Sequence, residues 1–134
     1  MTSVSVDQSG AFTPVAAPLA SDDVVDVVSI ESFAALDALA GRDRIVLRAA
    51  SCSDGRVFGL ARQLRRRGFD GALVVEANLL PDQLPMATSS GIDAIVISEN
   101  HALRCAEPQW RLKAQGERFG YQRATGRNLV REVG

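Results

Sequence analysis

The stretch IVLRAASCSDGRVFGLARQLRRRGFDGALVVEA, residues 45–77, holds two short β-branched runs on either side of one amphipathic segment. Ile45–Ala50 and Ala72–Ala77 are of strand length and largely apolar, the form a strand takes when both faces of its sheet are covered. Between them Val57, Leu60, Ala61 and Leu64 recur at spacings of three and four, which places them on one stripe of a helix over Gly55–Arg67. Gly68 supplies the stop. Strand, helix and strand in this order predict parallel strands joined by a right-handed crossover.

The rhythm extends in both directions. Upstream, Val24–Val28 reads as a strand or edge segment, and Ile30–Leu39 as a helix with Phe33, Leu36 and Leu39 on one face before Gly41. Downstream, Asp82–Ser90 reads as a shorter helix ended by Gly91, and Ile92–Ser98 as a further strand. Two helical stretches follow, His101–Ala106 and Gln109–Phe119, separated by Pro108. Residues 1–21 are rich in Ser, Ala, Pro, Thr and Gly and read as a flexible N-terminal tail; 22–123 form the domain, and 124–134 a loose C-terminal tail. The expected fold is a single small α/β domain whose four or five strands form a mostly parallel sheet from βα repeats. An open three-layer sandwich and a half TIM-barrel-like arrangement both satisfy that pattern.

The bulk properties agree with one globular domain. The chain has 134 residues, 46% hydrophobic and 23% charged, with a formal net charge of −1. No apolar run approaches the ~20 residues of a membrane span, and no basic start followed by an apolar block marks a secretory signal. A cytoplasmic location is expected. Residues 1–40 carry six acids and no Lys or Arg, while fourteen of the fifteen bases are Arg, with Lys113 the exception. With few aromatics and a pI near 5.8, nucleic-acid binding is not expected. Cys52 and Cys105 form no CxxC pair, so neither a zinc site nor a dithiol motif is expected.

In parallel sheets the loops leaving the strands' carboxyl ends gather at one edge, where ligands bind. Two segments fall there: Ser53-Asp54-Gly55-Arg56, and Asn78 through Leu84. Asp54 suits a helix N-cap; alternatively Gly55 lets an anion approach the helix start while Arg56 closes over it. Asp82 suits the N-cap of the next helix, with Pro85 in its first turn. Gln83 and Asn78 then offer amides to a ligand or partner. Cys52, beside a helix start, is a candidate redox thiol or a small buried hydrophobe. His101, the single histidine, reads as a solvated helix-start residue and not as an acid or base. Arg65, Arg66 and Arg67 complement the negative end of their helix. Trp110, Phe119 and Tyr121 supply aromatic surface for the core or an interface.

Taken together, Asp54-Gly55-Arg56, Leu60 to Arg65, Gly68-Phe69 with Gly71, Leu80-Pro81-Asp82-Gln83-Leu84, Gly91 to Ala94 and the late Phe119-Gly120-Tyr121-Gln122 resemble a bacterial domain-of-unknown-function family. The genes of that family accompany assimilatory sulfite reductase. The likeness runs over about residues 44 to 123. Within it, Ala72 to Val75, Ala77-Asn78, Ser90 and Ile92 depart from the family's usual residues. The resemblance implies a role in sulfite or sulfate reduction, as an accessory protein or an oxidoreductase; Asp54, Arg56, Asp82 and Gln83 at the strand edge suggest that it works by docking a partner, sulfite reductase or another sulfur-assimilation protein, or by binding a small anion. A second reading is a small oxidoreductase or transferase with an unknown cofactor, and a third is a non-catalytic structural module that forms a homodimer.

Overall fold

The computed structural model describes residues 2–16, 23–50 and 55–115. Among the described residues six strands form one sheet in the order β2-β1-β6-β5-β4-β3. They are β1 (Thr2–Asp7), β2 (Phe12–Ala16), β3 (Val24–Asp26), β4 (Arg44–Arg48), β5 (Ala72–Glu76) and β6 (Ala94–Ser98). Strands β3 to β6 are parallel and lie side by side in chain order; β1 and β2 add antiparallel to the β6 side. The helices are α1 (Arg56–Arg66), α2 (Leu84–Ser89) and α3 (Glu99–Arg104), with a further helical stretch over 107–115. No described helix is long and apolar enough to cross a membrane.

Consecutive parallel strands with right-handed crossovers carry their connections on one face of the sheet. The core has that asymmetry. Leu36, Val57, Phe58, Leu60, Ala61, Leu64, Leu84 and Ala87 pack with Ile45, Leu47, Leu73, Val75, Ile95, Ile97 and Val6 in one large cluster. On the opposite face Val46, Val74 and Val96 form a smaller cluster with Val15, Val24 and Ala94, to which the described helices contribute nothing. Trp110 is fully buried in the large cluster, its Nε1 donating to the Cys105 carbonyl at 2.8 Å.

Three expectations need correction. The first concerns the N-terminal tail: residues 2–16 build two strands, with Val4 and Val6 alternating against Ser3 and Ser5. Their turn reverses at Gly10, whose φ of +87° only glycine adopts freely, and an added Cβ there would lie 2.5 Å from the Arg111 nitrogen. Pro14 falls in β2, an edge strand, where a missing N–H costs no ladder bond. Second, the helix over Ile30–Leu39 is a 3-10 segment, Phe33–Ala38. Its apolar residues repeat at a strict spacing of three, the period of that tighter helix. Third, Pro108 does not separate helices; it sits in the first turn of the 107–115 stretch, where a donor is dispensable. The remaining expected elements match to within a few residues, and the predicted C-terminal tail, 124–134, lies outside the described residues.

The amino edge of the sheet is fastened by one side chain. Arg65, near the end of α1, donates to the Gly91 carbonyl at 2.7 and 3.1 Å and to the Phe69 and Gly71 carbonyls at 3.0 and 2.9 Å. It also pairs with Asp93 at 3.0 Å, and that carboxylate accepts the Leu73 amide at 2.9 Å. A planar five-donor fork is required to reach three carbonyls and a carboxylate together. Arg65→Ala is expected to cost about 2–4 kcal/mol, since it strands several partly buried acceptors. Arg65→Lys should recover less than half of that in urea unfolding.

The hairpin and the last helical stretch are joined by carboxylates. Glu107 accepts from the Phe12 amide at 3.3 Å and from Arg111 at 2.9 Å, and these bonds, Arg111's first, hold its carboxyl below the ordinary value of 4.5. Burial pushes the Asp7 carboxyl up, but bonds from the Ser9 hydroxyl and the Ala11 and Ser9 amides together outweigh it and leave it below 3.8. Depressed carboxylates stabilise the fold above their unfolded values and lose that contribution as pH falls through the folded ones. Urea midpoints should therefore decline between about pH 5 and pH 3, and Glu107→Gln should flatten the decline.

Candidate functional site

Strands β4, β5, β6 and β1 meet at the carboxyl edge of the parallel set around a cleft of about 470 Å³. It is lined by Arg48, Ala49 and Ala50 from the end of β4, Glu76, Ala77 and Asn78 from β5, Val96, Ile97 and Ser98 from β6, and Ser3 from β1. The positions follow from register. Arg48 stands beside Glu76, Glu76 beside Val96, and Ser3 opposite Ser98. Arg48 and Glu76 form a direct charged hydrogen bond across β4 and β5. Asn78 Oδ1 accepts the Ser98 amide at 2.8 Å, and Ser98 Oγ accepts the His101 amide at 3.2 Å as the N-cap of α3. Strand β1 runs antiparallel to β6, so its first residues stand beside the carboxyl end of β6.

The residues singled out in the sequence fall in several places. Asn78 lines the cleft. Arg56 lies in a separate groove of about 430 Å³ with Ile30, Glu31, Ser32, Phe33, Gly59 and Leu60. Gly55 is exposed at the cap position of α1, which has no side-chain cap bond. Asp82 is not an N-cap: Leu80 caps the 3-10 turn Pro81–Gln83 that leads into α2, Gln83 holds the cap position of α2 itself, and the Asp82 carboxylate pairs with Lys113 at 2.9 Å. An exposed pair of this kind contributes little to stability. Gln83 is half-buried, with Oε1 accepting the Leu80 amide at 2.8 Å while its own backbone amide donates to the Leu80 carbonyl at 2.9 Å. Cys52 and Asp54 lie outside the described residues, as do Phe119 and Tyr121. Cys105 is half-buried.

His101 has a structural task that its sequence position concealed. It is half-buried, and its Nε2–H donates to the Leu79 carbonyl at 2.7 Å, tying α3 to the loop after β5. Among the described residues no group of three or more His, Cys, Asp or Glu could hold a metal ion.

A family model described as bacterial protein of unknown function (DUF934) matches residues 24–129. The chain belongs to the DUF934 family. The match covers β3 through the last helical stretch, and β1 and β2 lie before it. Ser3 thus comes to the cleft from outside the matched region, whereas Arg48, Glu76, Asn78 and Ser98 lie within it. No curated protein and no solved structure matched the chain.

The site residues that sequence reasoning missed, Ser3, Arg48, Glu76 and Ser98, had one available signal. Each of the last three ends or follows a parallel strand, where polar residues interrupt an apolar run. Gln83→Ala should destabilise the protein by about 1 kcal/mol, the ordinary loss of a cap, and Gln83→Glu, which keeps the acceptor, should cost less by urea unfolding.

Proposed function

We propose that this DUF934 protein is a cytoplasmic accessory factor of assimilatory sulfite and sulfate reduction, acting by partner docking or small-anion binding at the carboxyl edge of its sheet. The observation that carries the reading is the cleft between β4, β5, β6 and β1, with an ion pair and an Asn at its polar wall. Its position is the one where α/β sheets bind ligands. The sulfur connection rests on the resemblance to a family encoded beside sulfite reductase. Lacking a triad, a phosphate-binding loop or a dinucleotide fingerprint in its sequence, the chain is read as a binding protein in preference to an oxidoreductase. For the architecture, packing of the described helices on one face supports the half-barrel-like arrangement over the three-layer sandwich.

The test is growth of a deletion strain on sulfate or sulfite against growth on cysteine. Slow growth on the inorganic sources alone is expected, restored by the wild-type gene and not by a gene carrying Arg48→Ala with Asn78→Asp at equal protein level. Normal growth of the deletion strain on sulfate and sulfite would remove the sulfur role, and full rescue by the double variant would remove the edge as the working surface.

A further inference from the structure

The cleft's far wall contains an unusual group. Ser3 is only 9% exposed, lines the cleft, and its hydroxyl has no hydrogen-bond partner among the described residues. A buried hydroxyl left unpaired costs about 1–3 kcal/mol, and native proteins keep few of them. Beside it stand two more donors. Asn78 spends Oδ1 on the Ser98 amide, and its Nδ2 hydrogens have no partner among the described residues. Ser98 Oγ accepts from His101, which leaves its own O–H to donate. Three uncharged donors therefore line the cleft where β5 and β6 end and β1 begins, and Arg48 borders the same cleft.

One acceptor faces them. Glu76 lies in the cleft on β5, held by Arg48 from the β4 side. Strands β5 and β1 flank β6, and register sets Glu76 level with Val96 and Ser5 while Ser3 faces Ser98, so the Glu76 and Ser3 backbones stand two strands and two residues apart, roughly 12 Å. A small tetrahedral ion with a hydrogen bond on each side spans roughly 8 Å between side-chain atoms, and the lengths of the Glu76 and Ser3 side chains make up the difference. Donors alone would suit any anion, but a carboxylate repels one that carries no proton. It welcomes an anion with an O–H of its own to donate.

We propose that the cleft binds a small oxyanion that still carries a proton, its oxygens accepting from Ser3, Asn78 and Ser98 beside the Arg48 charge and its O–H donating to Glu76. This rests on the reading that the carboxyl edge is the working face, and it names the ligand class and the residues that hold it. Selection comes from the carboxylate: a site built around a buried polar partner rejects an analogue lacking the matching group far more strongly than a greasy pocket rejects a change of size. Inorganic phosphate at neutral pH bears a proton and inorganic sulfate does not, so the two ions, alike in shape, read the Glu76 contact directly.

Titration calorimetry and thermal unfolding of the full chain near neutral pH, with phosphate and sulfate at matched ionic strength, form the test. Phosphate is expected to bind and raise the midpoint, with sulfate weaker by roughly tenfold or more. Ser3→Ala removes a hydroxyl that has no partner among the described residues, so it should leave the unliganded midpoint unchanged or higher while weakening phosphate about tenfold. Asn78→Asp retains the acceptor for the Ser98 amide and replaces the donor with a carboxylate oxygen, so it should fold normally and abolish phosphate binding. Glu76→Gln should narrow the gap between the two ions. Absence of phosphate binding, equal response to sulfate, or undiminished binding in folded Ser3→Ala and Asn78→Asp would overturn the inference. Phosphate binding in a protein whose deletion leaves growth on sulfate and sulfite normal defeats the sulfur role alone; a growth defect without phosphate binding defeats this inference alone.

Discussion

The antiparallel ladder of β1 on β6, running from Ser3 opposite Ser98 to Asp7 opposite Ala94, decides much of what the rest of the chain can do. Without it β6 would be an edge, its Val96 and Ile97 exposed along an unpaired row of backbone donors and acceptors, the arrangement that invites association. With it the parallel set is closed on that side and the new edge passes to β2, which Pro14 makes a poor template. The same ladder supplies the fourth wall of the cleft. Pairing of β1 in the opposite direction brings the start of the chain to the carboxyl end of β6, where Ser3 stands over the loops that follow β5 and β6.

Chain order then shapes the two faces. Strands β3 to β6 are laid down consecutively, so their right-handed crossovers accumulate on one side and the large cluster grows there. The opposite face carries a row of valines, Val24, Val46 and Val74, and next to it a row of Asp26, Arg48, Glu76 and Val96. Charged groups are admitted on that second row because Arg48 and Glu76 satisfy one another between adjacent strands. Their pairing sets one positive against one negative charge within the wall of the cleft.

Much of this was legible in the chain. The apolar runs at Ile45 and Ala72 and the stripe through Val57, Leu60, Ala61 and Leu64 correspond to β4, β5 and α1, because long periodic segments pack as their period demands. The first hairpin was hidden by composition. Its strands are rich in Ser and Thr, and only the alternation of Val4 and Val6 with Ser3 and Ser5, followed by the Ser9-Gly10 turn, marks it. The 3-10 segment at Phe33 was hidden by a period of three that resembles a helix over so short a span. Of the candidate site, Asn78 was placed on the carboxyl edge by its position after β5, whereas Arg48 and Glu76 looked like interruptions within strands. Their partnership depends on β4 and β5 being neighbours in register, a tertiary fact that spacing does not carry.

The two ends of the sheet resolve the same physical demand in opposite ways. At the amino edge the carbonyls of Phe69, Gly71 and Gly91 are drawn to Arg65, and the backbone before β5 and β6 is fixed by charged hydrogen bonds. At the carboxyl edge the side chains first satisfy the backbone, as Asn78 does for Ser98, Ser98 for His101 and Gln83 for Leu80, and then, among the described residues, have donors to spare at Ser3, Asn78 and Ser98. A surplus of donors at one end can persist only because the other end holds the strands in register. Rigid support beneath a set of under-used polar groups is the condition under which a ligand meets them already placed, without an ordering cost at binding.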